Sequence, residues 1–560
     1  MQTSSQAKIA EYTAKGWWTE RTYAQLFDKT AGEVPTRMAL VDAPNRPDFA
    51  FGAQRRLTYA EAATGATRVA AALYDAGVRQ GDRVLVQLPN IIELILVYIA
   101  VARLGGIISP APMQYGRHEL TEINKVLKPK LFVSLTQFKG QNVAAQHHES
   151  FPDLPLLAFG PAAAGLKTID DTKADAAAEA RVNAYCADLK NSGNDIYTIC
   201  WTSGTTGRPK GVPRSHNHWF VQCIAVQDAV HLEDADVLLN PFPFVNMAAI
   251  SGFLFVWLFA RGTLVLHHPF DMAVMLRQIQ DEKVVYTIVP PAALNMLLQK
   301  KEIMAAFNLK SLRTIASGSA PLSPVMVKGF KDLLNIDVVN TFGSNEGVSL
   351  VSCAKEVPDP EHRALYFPRF GVEGIEWENK ISEKIMTKLV DPVTNEVVTT
   401  RERPAELWIK GPNVFDGYLD SPEDNAKVFD AEGYFRSGDL FEIVGDDDPP
   451  KFYRFVGRHK DLIIRGGMNI SPDELDNLLA HHPKLVETAV FGQPDEILGE
   501  RVCMAAVPKP GMEVTLEDIK QFLKEKDVAI FKWPERLMIV EALPRNPLGK
   551  VLRTELRKKA

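Results

Sequence analysis

One pattern recurs through most of the chain: a short β-branched run, a turn, then a helical stretch. Arg83-Val-Leu-Val-Gln-Leu88 reads as a strand closed by Pro89-Asn90, and Ile91 to Ala102 as the helix that follows, ended by Gly105-Gly106. Asp236–Asn240, Gly262–Leu266 and Val284–Val289 repeat the theme, each joined to a helical stretch. Parallel neighbours in a sheet need long crossovers, usually helices, so this alternation predicts an α/β fold of parallel sheets covered by helices. Residues 162–180 are alanine-rich and predict an irregular surface excursion.

The character changes near Val390. Val397–Thr400, Glu406–Ile409 and Phe452–Val456 are short strand-like runs between turns, which predicts a small β-rich subdomain over residues 371–456, with Asp446-Asp-Asp-Pro-Pro450 as its clearest turn. After Gly457-Arg-His-Lys-Asp461 a compact α+β stretch closes the chain. The expected division is a large N-terminal domain, residues 1–459, and a small C-terminal one, residues 460–560, since 560 residues exceed one ordinary domain.

Composition narrows the function. The 63 Lys+Arg against 69 Asp+Glu leave a net charge of −6, with no cationic surplus to neutralise phosphates along DNA or RNA. Cys186, Cys200, Cys223, Cys353 and Cys503 are scattered without a Cys-x-x-Cys pair, so neither a zinc site nor a disulfide framework is expected. The start, Met1-Gln-Thr-Ser-Ser-Gln-Ala-Lys8, lacks a signal peptide's apolar core, and Lys558-Lys559-Ala560 is no organelle address. Met247 to Ala260 is too short for a membrane span and reads as a buried helix. The expectation is a soluble, cytoplasmic protein, monomer or homodimer.

The strongest local signal is Thr202-Ser-Gly-Thr-Thr-Gly-Arg-Pro-Lys-Gly211, which follows the strand-like Ile196–Trp201. Glycines admit backbone N–H groups close to an anion, hydroxyls add donors, and Lys210 adds a positive charge, so the segment reads as a phosphate cradle. Its spacing is not that of a Walker A loop.

This segment resembles the phosphate loop of the adenylate-forming superfamily, which contains acyl-CoA synthetases, adenylation domains of peptide synthetases and luciferases. Five further stretches resemble that family's motifs in the family's order. The resemblance assigns Thr202, Ser203, Gly204, Thr205, Thr206, Gly207 and Lys210 to the triphosphate. Ser317-Gly-Ser-Ala-Pro-Leu322 resembles the loop against adenine, with Gly318, Ser319 and Ala320 as its contacts. Asn340-Thr-Phe-Gly-Ser-Asn-Glu-Gly347 resembles the Tyr-Gly-x-Thr-Glu signature. By that match Asn340, Thr341, Gly343 and Ser344 lie against the nucleotide, Phe342 stacks on adenine, Asn345 replaces the usual Thr as a donor to the α-phosphate, and Glu346 holds Mg²⁺. Tyr434-Phe-Arg-Ser-Gly-Asp-Leu440 resembles the family's Tyr-x-Thr-Gly-Asp, which implies that Asp439 accepts from the ribose hydroxyls. Gly457–Gly467 resembles the hinge and the strand after it, with Arg458 near the ribose, Lys460 as pivot, and Gly466 and Gly467 beside a pantetheine channel. Leu543-Pro-Arg-Asn-Pro-Leu-Gly-Lys550 resembles the loop of the catalytic lysine, Lys550, on a C-terminal domain that is mobile in the family.

The resemblance implies an acid–thiol ligase: a carboxylate attacks the α-phosphorus of ATP, pyrophosphate leaves, and a thiol takes the acyl group from AMP. Relatives build their acyl pocket from the segment matching Pro241–Ala260, the Gly318 loop and the residues after Phe342. Pro241–Ala260 holds no Asp, Glu, Lys or Arg. With Asn246 also in the expected acyl pocket, Phe244, Met247, Ile250 and Phe253 suggest an apolar substrate body. The lack of charge predicts an uncharged hydrophobic monocarboxylic acid, fatty, alicyclic or aryl, because an unpaired buried charge is costly. Asn246 stands where many relatives carry a histidine or an aromatic residue. Lys15-Gly-Trp-Trp18 and Phe342–Glu346 resemble aryl-acid ligases such as 2,3-dihydroxybenzoate–AMP ligases. The expected acceptor is CoA, with Arg465, Arg501, Lys532 and Arg536 as candidate partners for its phosphates. A carrier-protein thiol is the alternative. A non-catalytic nucleotide-binding regulator has no need of Lys550, and a serine hydrolase would need a Gly-x-Ser-x-Gly elbow that is missing from the sequence.

Overall fold

The strand-like runs pair in parallel, as their alternation with helices requires. The structure is a computed structural model, and it describes the chain except residues 204–208, 459–460, 466–467, 496–497, 527 and 547–550. Arg83–Val86 lies between Ile107–Pro110 and Leu131–Leu135, and the sheet runs on through Leu156–Phe159 to Lys167–Ile169. On its other side Ile107–Pro110 pairs with Ile196–Ser203, which turns back antiparallel as Pro209–Ser215. A second sheet has the order Ser349–Ser352, Asp337–Gly343, Thr314–Gly318, Tyr286–Ile288, Val237–Asn240, Thr263–Leu266, Met38–Val41, Arg56–Thr58, antiparallel only at its two ends.

The helix Ile92–Arg103 is apolar on all sides and buried along almost its whole length. Ile91 cannot cap it, so its orphan amide at Ile92 donates instead to the buried Asp42 carboxylate at 2.9 Å. Asp42 in turn shares Arg46 with Glu93, and Arg55 links Glu93 to Asp171. A buried ion cluster thus joins the two large sheets' flanking segments.

The excursion expected at residues 162–180 is structured. Lys167–Ile169 extends the first sheet, and Ala176–Asp188 is a helix whose first turn is capped by Asp175, accepting from the Ala178 amide. Alanine is the best helix former, and Val182, Arg68–Glu179 and Arg181–Asp75 fasten this helix to the long helix Tyr59–Asp75.

The β-rich subdomain forms as expected. Its antiparallel sheet has the order Tyr366–Pro368, Phe452–Arg458, Phe435–Val444, Ala405–Lys410, Met386–Val390, Val397–Val398, and so begins a few residues before 371. The last sheet pairs Leu485–Asp495 with Gly499–Pro508, with Arg536–Ile539 parallel on the latter, and packs the helices Pro472–Leu479 and Leu516–Glu525 around its own apolar cluster. Ser471 ties this domain to the subdomain by donating to the Val456 carbonyl. Among the described residues no helix is long and apolar enough to cross a membrane.

Candidate functional site

Three antiparallel turns bring the motif residues together. Thr202 pairs with Lys210 and Ser203 with Pro209, so the two strands hold the ends of the glycine-rich loop; Gly204, Thr205, Thr206 and Gly207 lie outside the described residues. The Lys210 ammonium meets Asp424 at 2.7 Å and lies over the Tyr418 ring, 5.0 Å from its centroid. The cation expected to be free for phosphate is thus held by an ion pair in this conformation.

Tyr418 joins that loop to the next. Its hydroxyl donates to Glu346 Oε1 at 2.9 Å, and the Glu346 carboxylate is buried. Burial beside Glu346 pushes the Tyr418 hydroxyl's pKa far above its ordinary value, so it stays a donor. Behind the turn, Arg214 is fully buried with its guanidinium 4.4 Å from the Trp219 ring. It donates to the carbonyls of Asn345 at 2.7 Å, Asn413 at 2.8 Å and His218 at 3.2 Å. Burial pulls its pKa down to about 10, with Cys200 and Glu346 pushing back, so it remains charged at neutral pH.

Thr314–Gly318 and Asp337–Gly343 run parallel with Gly318 opposite Thr341. A Cβ at Gly318 would stand 2.1 Å from the Thr341 carbonyl oxygen, so only glycine allows this approach. Ser319 and Ala320 are exposed at the strand end, Ser319 with a left-handed φ of 69°. Asn340 spends its amide inside the fold, donating to the carbonyls of Arg363 and Ala364. Thr341 donates to the Ser317 carbonyl. The half-buried Phe342 ring packs edge-on against Phe441 at 4.9 Å and tilted against Phe455 at 5.5 Å. Two residues from Phe441, Asp439 stands opposite Arg458 across the hairpin, their carboxylate and guanidinium 3.2 Å apart.

The uncharged segment folds as expected, with one irregularity: Met247–Ala249 and Val256–Phe259 are α-helical and the intervening Ile250–Phe255 is π-helical. Such turns often mark functional sites. Phe244, Ile250 and Phe253 are fully buried, whereas Asn246 and Met247 are half-buried. Asn246 caps the helix by accepting from the Ala249 amide. Asn345 is not turned outward by its side-chain oxygen, which accepts from the Met247 amide at 2.8 Å. The Met247 side chain packs over Gly343, where a Cβ would lie 2.0 Å from the Met247 methyl. Ser344, with its hydroxyl buried and unpartnered, completes the turn.

Residues 27–419 match the AMP-binding enzyme family, and residues 474–550 match the AMP-binding enzyme C-terminal domain. The chain belongs to the AMP-binding enzyme family. It is 29% identical over 559 residues to pyochelin synthase PchD of Pseudomonas aeruginosa, covering 99% of this chain and 95% of that one. It is 28% identical over 564 residues to the medium-chain fatty-acid–CoA ligase of Escherichia coli, covering 99% and 93%. ATP-bound MatB from Rhodopseudomonas palustris superposes with a TM-score of 0.75 at 26% identity, covering 96% of this chain and 98% of that one. This AMP-binding enzyme is an adenylate-forming ligase of α/β architecture.

Membership implies Mg²⁺ beside ATP, and the residues of this AMP-binding enzyme fit the ion. The Glu346 carboxylate is buried, accepts from Tyr418 and pairs with no cationic side chain among the described residues. That suits an ion taking one or two carboxylates and completing its shell with substrate phosphates and water. The sequence reading missed Tyr418 and Arg214, which support the Glu346 turn from other segments. The only signal was the turn chemistry of Gly417-Tyr-Leu-Asp-Ser-Pro422, which says nothing of what Tyr418 faces. Lys460, Gly466, Gly467 and Lys550 lie outside the described residues.

Proposed function

We propose that this enzyme is an ATP-dependent acid–CoA ligase for an uncharged, hydrophobic monocarboxylic acid, fatty, alicyclic or aryl. The observation that carries the substrate class is the helix beginning at Met247, which packs against Gly343 and is tied to Asn345 without one charged side chain from Pro241 to Ala260. A substrate ammonium or second carboxylate would find no counter-charge on this wall, and burying either unpaired is costly.

A carboxylate resists attack because it would have to expel oxide; AMP is the better leaving group. In the first step a carboxylate oxygen attacks the α-phosphorus and the bond to the β-phosphate breaks, its electron pair leaving with pyrophosphate. Charge grows on phosphoryl oxygens, so the protein acts by position and field. Glu346 would hold Mg²⁺, which when bound would supply charge neutralisation at the phosphates. Lys210 and the backbone of residues 202–207 hold the triphosphate, Lys550 adds positive charge at the reacting phosphorus, and Asp439 with Arg458 fixes the ribose. In the second step a thiolate sulfur attacks the acyl carbon, the bond to the phosphate oxygen breaks, and AMP departs. A swing about Lys460 withdraws Lys550 and brings Gly466 and Gly467 to the thiol's path, where absent side chains leave room for pantetheine.

One observation favours a second reading, in which a carrier-protein thiol replaces CoA. Arg465 pairs with Glu535, Arg501 with Asp495 and Glu535, and Lys532 with Glu474, while Arg536 donates to Gln493. These cations are engaged within the domain rather than waiting for CoA phosphates. The test is a panel of acids in ATP–pyrophosphate exchange, followed by AMP release against CoA concentration. Apolar monocarboxylates should support exchange, and AMP release should saturate with CoA and respond poorly to pantetheine. Strong exchange with a free amino acid or a dicarboxylate overturns the substrate class, and the lack of any acceleration by CoA replaces CoA with the carrier thiol.

A further inference from the structure

The segment 411–419 is gripped on both sides. On one side it faces the Glu346 turn: the Phe415 backbone amide donates to the Glu346 carbonyl at 2.9 Å, Tyr418 holds the Glu346 carboxylate, and the Asn413 side-chain amide donates to the Gly347 carbonyl at 2.7 Å. The Leu419 amide also donates to the carbonyl of Gly211, next to Lys210, at 2.9 Å. On the other side lies the start of the chain. The Trp18 indole donates to the Pro412 carbonyl at 3.0 Å, and the Lys8 ammonium contacts Asp416 Oδ1 at 2.6 Å and the Val414 carbonyl at 3.4 Å. Asp416 Oδ2 accepts from Ser4 at 2.5 Å and Thr3 at 3.2 Å.

Asp416 is the centre of this grip, sitting in the same segment as Tyr418 and nearly enclosed. His218 Nε2 stands 3.5 Å from its Oδ2. The His218 ring accepts the Ser215 amide on Nδ1, so its own proton sits on Nε2, near Asp416 but without a hydrogen bond to it. The carboxylate therefore meets four groups from residues 3, 4, 8 and 218, three of them in the first eight residues of the chain. A surface segment gains little from one exposed ion pair, but here the pair is partly buried and joined to an indole anchor and two hydroxyls.

We propose that Lys8 and Asp416 are positioning residues for the nucleotide: the N-terminal strap, residues 3–18, presses segment 411–419 against the Glu346 turn and so sets the affinity for Mg·ATP. This rests on the reading that Glu346 holds the metal. Among the described residues the strap makes no hydrogen bond or ion pair with Asn246 or Met247, and the turn it supports reaches the acid side only through the Asn345–Met247 hydrogen bond, so KM for acid should move less than Mg·ATP affinity.

The experiment measures Mg·ATP binding by calorimetry, without acid, together with KM for ATP and for acid, in Lys8→Met, Lys8→Arg, Asp416→Asn, the Lys8→Met/Asp416→Asn double variant and Glu346→Gln. Loss of a partner that orients a metal ligand costs about 10–100-fold. Lys8 acts on Glu346 only through segment 411–419, so its loss should cost less than that of a direct partner. Lys8→Met should weaken Mg·ATP binding about 5-fold, as expected for loss of an ion pair of about 1 kcal/mol, and leave KM for acid within about twofold, while Lys8→Arg retains wild-type binding. The double variant should cost no more than Asp416→Asn alone. Lys8 is partly exposed, so Lys8→Met keeps the test open should Asp416→Asn fail to fold. A Lys8→Met enzyme with a lowered melting temperature and unchanged Mg·ATP affinity overturns the proposal, as does an equal rise in both KM values. Unchanged Mg·ATP affinity in Glu346→Gln removes the metal assignment itself, and the proposal with it.

Discussion

Tyr418→Phe isolates one hydrogen bond at the Glu346 turn. The ring stays, and with it the contact under the Lys210 ammonium and the edge-on packing against Phe415 at 4.9 Å. Only the donor to Glu346 Oε1 is lost. A hydrogen bond to a charged group contributes about 1.5–3 kcal/mol. Tyr418 is only half-buried, so water can partly replace its hydroxyl and the lower part of that range applies. At 1.4 kcal/mol per decade this is a loss of about 10–30-fold. It should appear in the Mg²⁺ dependence of acid-dependent ATP–pyrophosphate exchange at saturating acid, with KM for acid unchanged. A melting curve close to wild type shows that the fold is intact. If Mg²⁺ half-saturation stays within twofold of wild type, Tyr418 does not orient a metal-binding carboxylate and the site is wrongly built around Glu346.

Lys550→Ala should reduce adenylate formation by about 10²–10³-fold and spare thioester formation from supplied acyl-adenylate; equal damage to both half-reactions would show Lys550 serving both or neither. Gly343→Ala places a Cβ 2.0 Å from the Met247 methyl and 2.7 Å from the Val348 carbonyl oxygen. Met247 can swing aside and the carbonyl cannot, so acid preference should change and unfolding stability should fall by about 1–3 kcal/mol, whereas an unchanged acid profile would remove Met247 from the acyl wall. His216 and His218 are buried and neutral, each with its pKa lowered to about 3 by burial, while the unfolded chain protonates them near 6.5. Folded values below unfolded ones mean that the unfolded state binds more protons on acidification, so their stabilising effect is present above about pH 6.5 and is lost as pH falls toward 3. Urea unfolding should therefore show stability falling below pH 6 by up to about 1.4 kcal/mol per pH unit for each histidine, and a flat profile from pH 6 to 5 would refute their neutral burial.

The sequence by itself determined the class of fold and much of the chemistry. Helical and strand periods, and the Gly and Pro-Asn turns between them, are local properties, so Arg83–Val86, Thr263–Leu266 and the strand runs at Glu406–Ile409 and Phe452–Val456 were legible before any packing was known. The lack of charge from Pro241 to Ala260 is likewise a property of the sequence alone. Residues 162–180 misled because composition alone does not say whether alanines lie on a supporting neighbour, and the long helix Tyr59–Asp75 supplies one. Tertiary structure decided which groups meet. Tyr418 reaches Glu346 across 72 residues and Lys8 reaches Asp416 across 408. Asn345 turns its oxygen to the Met247 amide, and Lys210 turns to Asp424. Such partners depend on strand register and on how separate layers pack. Side-chain directions at a site are fixed there, by contacts between segments whose spacing in the chain carries no trace of their nearness in space.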